Sequence, residues 1–235
     1  MILYLRSTLF LIWFAALSLA MNVGCLPLLL APRRFVMRAG RLWARLVLFG
    51  LDRIAGLGLE IRGRMPEAGG VLIAVKHLSM WETVAMQALY ADPAIVIKRE
   101  LLWIPFYGWY CRKMRMIAVD RGAGMQAIRA LLASAKSAAK DGRPIVIFPE
   151  GTRREIGAPP DYKRGVSALY GGLDVPCVPV ALNSGLYWGG FLRRPGKIVL
   201  EFLEPIAPGL PRREFMALLE SRIEEATNRL LAEDR

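Results

Sequence analysis

Residues 71–82, VLIAVKHLSMWE, decide how this chain is read. Val71 to Val75 form an apolar, partly β-branched run of the kind that makes a buried strand. Lys76 and His77 follow at once, and His77 is the only histidine in 235 residues. Glu82 lies five positions further on. Five residues carry a regular helix about 140° past one full turn, so the two side chains would diverge if both were helical. They meet only if His77 occupies the strand-to-helix turn and Glu82 opens the helix, where the positive end of the dipole favours a carboxylate. Glu82 then accepts a hydrogen bond from one ring nitrogen and leaves the other free as a base.

Downstream and just upstream, short apolar runs recur between turn signals. They predict strands at 59–62, 71–75, 94–98, 116–119, 144–148, 177–181 and 197–203. Helical stretches lie between several of them. Gly124–Lys140 places Ile128, Leu131, Leu132 and Ala135 on one face, with Gly142 and Pro144 as its stop. Arg212–Glu233 repeats Phe215, Leu218, Leu219, Ile223, Ala226 and Leu230 in helical step. Strands alternating with helices argue an α/β sheet layered by helices.

The amino-terminal part differs. Residues 1–31 hold one charge, Arg6, and residues 7–31 hold none, which is long enough for a bilayer core of ~20 apolar residues. Pro27 and Pro32 predict a bend or an end. Arg33, Arg34, Arg38, Arg41 and Arg45 then arrive before any acidic residue, which puts the chain that follows on the cytoplasmic side by the positive-inside rule. A cleaved signal peptide is the rival, but the uncharged stretch outruns the faint site at Ser18-Leu19-Ala20. Residues 38–58 place Leu42, Leu46, Phe49, Ile54 and Leu57 among Arg41, Arg45 and Arg53, which reads as a basic amphipathic helix, either lying in the membrane interface or packed in the core. The expected division is 1–58 as membrane-associated helices and 59–235 as the α/β domain.

Hydrophobic residues make up 54% of the chain and the net charge is +12. That balance suits an anionic membrane surface or anionic substrates. Nucleic acid is the weaker reading, since no nucleic-acid fold signature is present. Cys25, Cys111 and Cys177 are scattered without metal spacing, and an odd count argues against a closed disulfide framework.

Four blocks in order, KHLSMWE at 76–82, MIAVDRG at 116–122, FPEGTRR at 148–154 and VPCVPVALNSG at 175–185, resemble the glycerolipid acyltransferases related to 1-acylglycerol-3-phosphate acyltransferase. The departure is Glu82, where that family's pattern usually has Asp. The resemblance implies an α/β fold with a mixed sheet layered by helices and an N-terminal membrane-binding hairpin. His77 and Glu82 are the implied catalytic pair. Arg121, Glu150, Gly151, Thr152 and Arg153 are the implied acceptor-binding residues, with Asp120 as a group that orients Arg121. No metal and no cofactor are implied, only acyl carrier protein or acyl-CoA as co-substrate. Expected partners are membrane lipids and lysophosphatidate, at the cytoplasmic face of the cell inner membrane. Lys163-Arg164 would add positive charge, and residues 103–109 fit helix-core packing better than an acyl channel or a lipid contact.

Bland alternatives stand beside each assignment: a structural histidine, a surface ion pair at Asp120-Arg121, a plain turn at Glu150–Arg153. Another lysolipid, including a lyso-ornithine lipid without a phosphate, fits the same blocks. A lipase is disfavoured, because Gly165-Val166-Ser167-Ala168 is followed by Leu169 and not by the glycine of a nucleophile elbow. A non-catalytic lipid-binding module would be indifferent to loss of His77.

Overall fold

Each of the seven predicted apolar runs becomes a strand of one sheet in the computed structural model, which describes residues 1–67 and 69–233. The strands are β1 (Leu57–Arg62), β2 (Leu72–Val75), β3 (Ala94–Lys98), β4 (Ile117–Val119), β5 (Ile145–Ile147), β6 (Cys177–Leu182) and, after a short hairpin formed by β7 (Trp188–Gly189) and β8 (Leu192–Arg193), β9 (Gly196–Phe202). Their spatial order is β1-β9-β6-β2-β5-β3-β4. β6, β2, β5, β3 and β4 are mutually parallel, whereas β9 runs antiparallel to β6 and parallel to β1. The sheet is therefore mixed.

Successive residues of a strand face opposite sides, and β2 shows what each side meets. Ile73 and Val75 join a core with Trp81, Val84 and Met86 of α3 (Trp81–Leu89) and with Ala44 and Val47 of α2 (Arg33–Gly50). Leu72 and Ala74 join a second core with α5 (Gly124–Lys140), α6 (Arg164–Leu173) and α8 (Arg212–Glu233), through Leu131, Leu169 and Phe215 among others. Helices on both faces of a largely parallel strand set explain why its strands are apolar throughout and not alternating. The predicted bounds of α5 and α8 match the observed ones.

The first helix, α1 (Ile2–Gly24), is joined to α2 by a 3-10 turn over Leu26–Leu29, with Pro32 as the residue before α2. The bend falls where the prolines predicted it. α2 starts earlier than expected and ends in a π turn over Leu51–Ala55, so β1 begins at Leu57. Its buried side is Val36, Met37, Ala44 and Val47, while Leu42 and Phe49 point outward. Of the expected apolar positions, Leu57 is buried, Leu46 and Ile54 are half-buried, and Leu42 and Phe49 alone face outward. Two of the five arginines are also used inside the protein. Arg33 bonds Asp92 and the Met114 carbonyl, and Arg41 donates to the Ala88 and Leu89 carbonyls at the C-terminal end of α3, where a cation is favoured.

One face of α1 is glued to the rest of the chain along its length. Phe10 is fully buried against Trp188, Arg6 donates to the Ile54 carbonyl, and Trp13 donates to the Leu46 carbonyl. Gly50 of α2 is needed at this crossing, because a Cβ there would fall 2.2 Å from Nε1 of Trp13. The opposite face exposes Ile2, Leu5, Leu9, Ile12, Leu19 and Val23, a helical stripe without a charge.

Residues 103–109 correct the expectation of core packing. Trp103, Ile104 and Trp109 are exposed. The segment leads into α4 (Tyr107–Lys113), and Tyr110 bonds the Asn22 carbonyl near the end of α1. Aromatics at helical spacing fit a core and a lipid face equally well by pattern, and here Trp103 and Trp109 face outward while Phe106 is half-buried.

Candidate active site

The chain leaves the sheet at Lys76, whose N–H still donates to the Val180 carbonyl of β6. His77, Leu78, Ser79 and Met80 then turn it into α3. Glu82, in the first turn of that helix and fully buried, reaches back over the turn. Its Oε1 accepts from the N–H of Leu78 at 2.6 Å, the N–H of Ser79 at 2.7 Å and Nδ1 of His77 at 3.0 Å. Its Oε2 accepts from the hydroxyls of Ser79 at 2.8 Å and Ser184 at 2.9 Å. With donors on every side, the carboxylate can only accept, which fixes the proton of His77 on Nδ1 and leaves Nε2 as the basic nitrogen. The glutamate side chain thus reaches back to two N–H groups of the turn as well as to the imidazole.

Two further residues hold this pair, and neither stands out within its sequence block. Ser184 opens the short helix α7 (Ser184–Tyr187) after β6, inside the block at 175–185. Phe148, at the end of β5, stacks on the imidazole with ring centroids 4.2 Å apart. The turn that follows, Pro149 to Arg154, is tied to the histidine by the Arg154 N–H donating to the His77 carbonyl at 2.8 Å. Gly151 sits at φ +68°, a left-handed conformation that suits glycine. A Cβ there would meet the side chains of Arg121 and Lys163 at 3.7 Å, so both cations flank this turn. Thr152 and Arg153 are exposed beside it.

Glu150 behaves differently from its neighbours. It is buried, and its Oε1 accepts from Nζ of Lys76 at 3.0 Å. Lys76, also buried, donates in turn to Glu224 of α8 at 2.6 Å, and Tyr162 donates to the same carboxylate. Burial pushes the pKa of Glu150 up, against the pull of Lys76. Only its Oε2 lacks a partner. Asp120 does not orient Arg121: it accepts from Arg99 at 2.8 Å and from the Gly122 N–H at 3.0 Å. Its nearest donors come from β3's end and its own turn, which spacing alone did not reveal. Desolvation lowers the pKa of Arg121, with Glu100 pulling the other way, and no carboxylate bonds its guanidinium among the described residues.

These groups open on one cleft of about 1130 Å³. His77 lies in its wall. One part is apolar, running between α1, α2, α3 and α4 past Phe14, Trp43, Val84 and Tyr107. The other part is cationic, with Lys98, Arg121, Arg153, Lys163 and Arg164. Among the described lining residues the one carboxylate is Glu150, already bound by Lys76. Three strand ends on one edge of the sheet, β2, β4 and β5, deliver the pieces, as expected for ligand sites in open α/β sheets. Cys111 also lines the cleft, but burial pushes its thiol up to about 11, which leaves little thiolate to act as a nucleophile.

The arrangement offers a base, an apolar slot and an anion-binding mouth. A family model described as Acyltransferase matches residues 58–183, just over half of the chain. The chain belongs to the acyltransferase family. Within it, the chain is 36% identical over 172 residues to the 1-acyl-sn-glycerol-3-phosphate acyltransferase of Pseudomonas aeruginosa, covering 72% of this chain and 65% of that protein. It is 29% identical over 185 residues to the mouse 1-acyl-sn-glycerol-3-phosphate acyltransferase alpha, covering 75% of this chain and 65% of that one. The chain thus spans about two thirds of the length of these curated relatives. Among acyltransferase structures, the crystal structure of the 1-acyl-sn-glycerophosphate (LPA) acyltransferase from Thermotoga maritima superposes with a TM-score of 0.77. The two share 22% identity and the match covers 96% of each chain, which establishes the fold.

Proposed function

We propose that the chain is an O-acyltransferase that moves a fatty acyl group from acyl-CoA or acyl carrier protein to the sn-2 hydroxyl of 1-acylglycerol 3-phosphate, making phosphatidate. The observation that carries this reading is the His77–Glu82 pair set in the wall of a cleft that is apolar on one side and cationic on the other. The names of the relatives point the same way.

In this reaction Nε2 of His77 takes the proton of the acceptor hydroxyl as its oxygen attacks the thioester carbonyl. The imidazolium that forms is stabilised by Glu82, as in a serine-protease triad. It then returns the proton to the departing thiolate, so no acyl-enzyme is needed. Arg121 and Arg153 hold the acceptor phosphate, with Lys163 beside them. Gly151 keeps the backbone close and Thr152 lies next to the bound group. Glu150 acts from below through Lys76 and through its one unpartnered oxygen. The acyl chain lies in the apolar part of the cleft, under α1 and α2.

The helical hairpin anchors the domain from one side of the bilayer. α1 is long and apolar enough to cross a membrane, but a crossing helix would drag Arg6 and its bonded partners on α2's π turn into lipid. Lying in the interface, the same helix presents its uncharged stripe to acyl chains and leaves Arg34, Arg38 and Arg45 for headgroups. The proposed location is the cytoplasmic face of the inner membrane.

The test offers labelled acyl-CoA and acyl carrier protein with lysophosphatidate or lyso-ornithine lipid to the purified protein. Phosphatidate formation that is lost in His77→Ala, and that needs at least tenfold more lysophosphatidate in Arg121→Ala, is the expected result. Product from the phosphate-free acceptor alone would overturn the acceptor assignment. Activity of His77→Ala near wild type would overturn the mechanism.

A further inference from the structure

The hairpin β7–β8 takes no part in the cleft or the large sheet. Two residues per strand do not hold a hairpin in water, and this one is held by Arg193. Its Nη1 donates to the carbonyls of Gly190 at 2.8 Å, Phe191 at 3.1 Å and Leu192 at 3.2 Å. The guanidinium lies 4.1 Å over the Trp188 ring, and the Arg193 N–H donates to Oγ of Ser7 in α1 at 2.9 Å. Arg193 is buried with no carboxylate partner among the described residues. Burial lowers its pKa to about 10. The three carbonyls offset the burial of this cation only in part, because its Nε has no hydrogen-bond partner among the described residues.

What it holds rigid is a tip with an aromatic on the outside. Phe191 is 48% exposed and stacks on Tyr4 of α1 at 6.4 Å, itself 59% exposed. Ile2 and Leu5 continue the same surface into the uncharged outer stripe of α1. Arg194 and Lys197 follow, both exposed, with Glu60 3.7 Å from Lys197 as the local acid. At the other end of α1, a helix roughly 35 Å long at 1.5 Å per residue, Tyr110 of α4 bonds the Asn22 carbonyl, and Trp109 beside it is exposed, as is Trp103.

We propose that the β7–β8 hairpin is a second membrane-contacting element, which seats Phe191 in the interfacial layer of an anionic bilayer beside the first turn of α1. Aromatic rings favour that layer, and exposed apolar surface continuous with a lipid-facing helix is what it would take up. The two aromatic ends hold α1 parallel to the membrane and so fix the tilt of the cleft above it. The inference rests on reading the outer stripe of α1 as lipid-facing, and not on the acyl-transfer reaction.

The experiment attaches a polarity-sensitive nitrobenzoxadiazole dye at Phe191→Cys, at Ile12→Cys in the outer stripe, and at Ser221→Cys on α8. All three are made in the full chain with Cys25→Ser, because Cys111 and Cys177 are buried. Vesicles are equal parts phosphatidylglycerol and phosphatidylcholine. A blue shift on adding vesicles at 12 and 191, but not at 221, is expected. A shift at 12 without one at 191 overturns the hairpin proposal alone, and no shift at either overturns the lipid-facing stripe with it. A shift at 191 already present in detergent and dependent on protein concentration points to a second copy of the chain, which also overturns the proposal. Phe191→Asp should lower vesicle partition roughly tenfold, given the burial free energy of part of a phenylalanine side chain. A change in melting temperature with unchanged partition would reduce Phe191 to a latch on α1.

Discussion

Replacing Glu82 by glutamine separates the two tasks assigned to this carboxylate. The amide keeps an oxygen where Oε1 accepts from the Leu78 and Ser79 N–H groups and from His77 Nδ1. Its NH2 falls where Oε2 lies, facing the hydroxyls of Ser79 and Ser184, which can rotate to accept. The tautomer of His77 and the shape of the turn therefore survive, and only the negative charge is lost. At an effective dielectric of about 20, a carboxylate about 4 Å from the imidazolium charge contributes ~4 kcal/mol. That is about 10³ in rate if all of it acts in the transition state. His77 keeps a little solvent exposure, so a loss of about 10²–10³ in kcat is expected. KM should stay within about threefold. The assay is phosphatidate formation from labelled acyl donor and lysophosphatidate, with thermal unfolding of both proteins as control. The lost charge-assisted bonds should lower stability by about 1–2 kcal/mol. A kcat within fivefold of wild type, beside an inactive His77→Ala, would refute the argument that the charge matters. A loss as deep as that of His77→Ala with an intact fold would refute the argument that the tautomer is retained.

Lys76→Met leaves Glu150 buried without its cation, and should cost about 3 kcal/mol in chemical denaturation near neutral pH. Because the pKa of Glu150 is raised in the folded state, the folded chain holds that proton more tightly. Stability therefore falls as pH rises from the ordinary glutamate value through the folded one. Lys76→Met should steepen this fall, and an unchanged pH slope would count against it. Asp92 has the opposite sign: burial would raise it, but the bonds and charges of Arg33 and Arg143 hold it below the ordinary aspartate value. Its contribution is present above the unfolded pKa and is lost as pH falls through the folded one, so Asp92→Asn should flatten the acid limb of a stability profile. Gly50→Leu drives a side chain into Trp13 and should loosen α1 from α2, seen as a lower melting temperature and faster proteolysis within the hairpin.

Strand runs and long helices were legible because burial writes itself into short stretches: Leu72–Val75 and Gly124–Lys140 need no partner to be recognised. The insertion of β9 between β1 and β6 was not, since pairing across the sheet depends on contacts far apart in the chain. His77 and Glu82 were legible as a turn-plus-helix pair. Lys76 was not, because a lysine after an apolar run looks solvated until Glu150 and Glu224 are brought to it. Phe148 and Ser184 carry no local mark of their service to His77 and Glu82. The β7–β8 hairpin escaped for a plainer reason: strands of two residues leave no period to detect.

The place of α8 has a consequence for the newborn chain. α1 leaves the ribosome well before α8 and can meet a membrane early, yet Lys76 waits for Glu224, and Leu57 waits for Gly196 beside it in the sheet. Contacts so distant in sequence close late in folding. A tethered nascent chain therefore carries its histidine with an unfinished floor beneath it, and matures only once α8 is released.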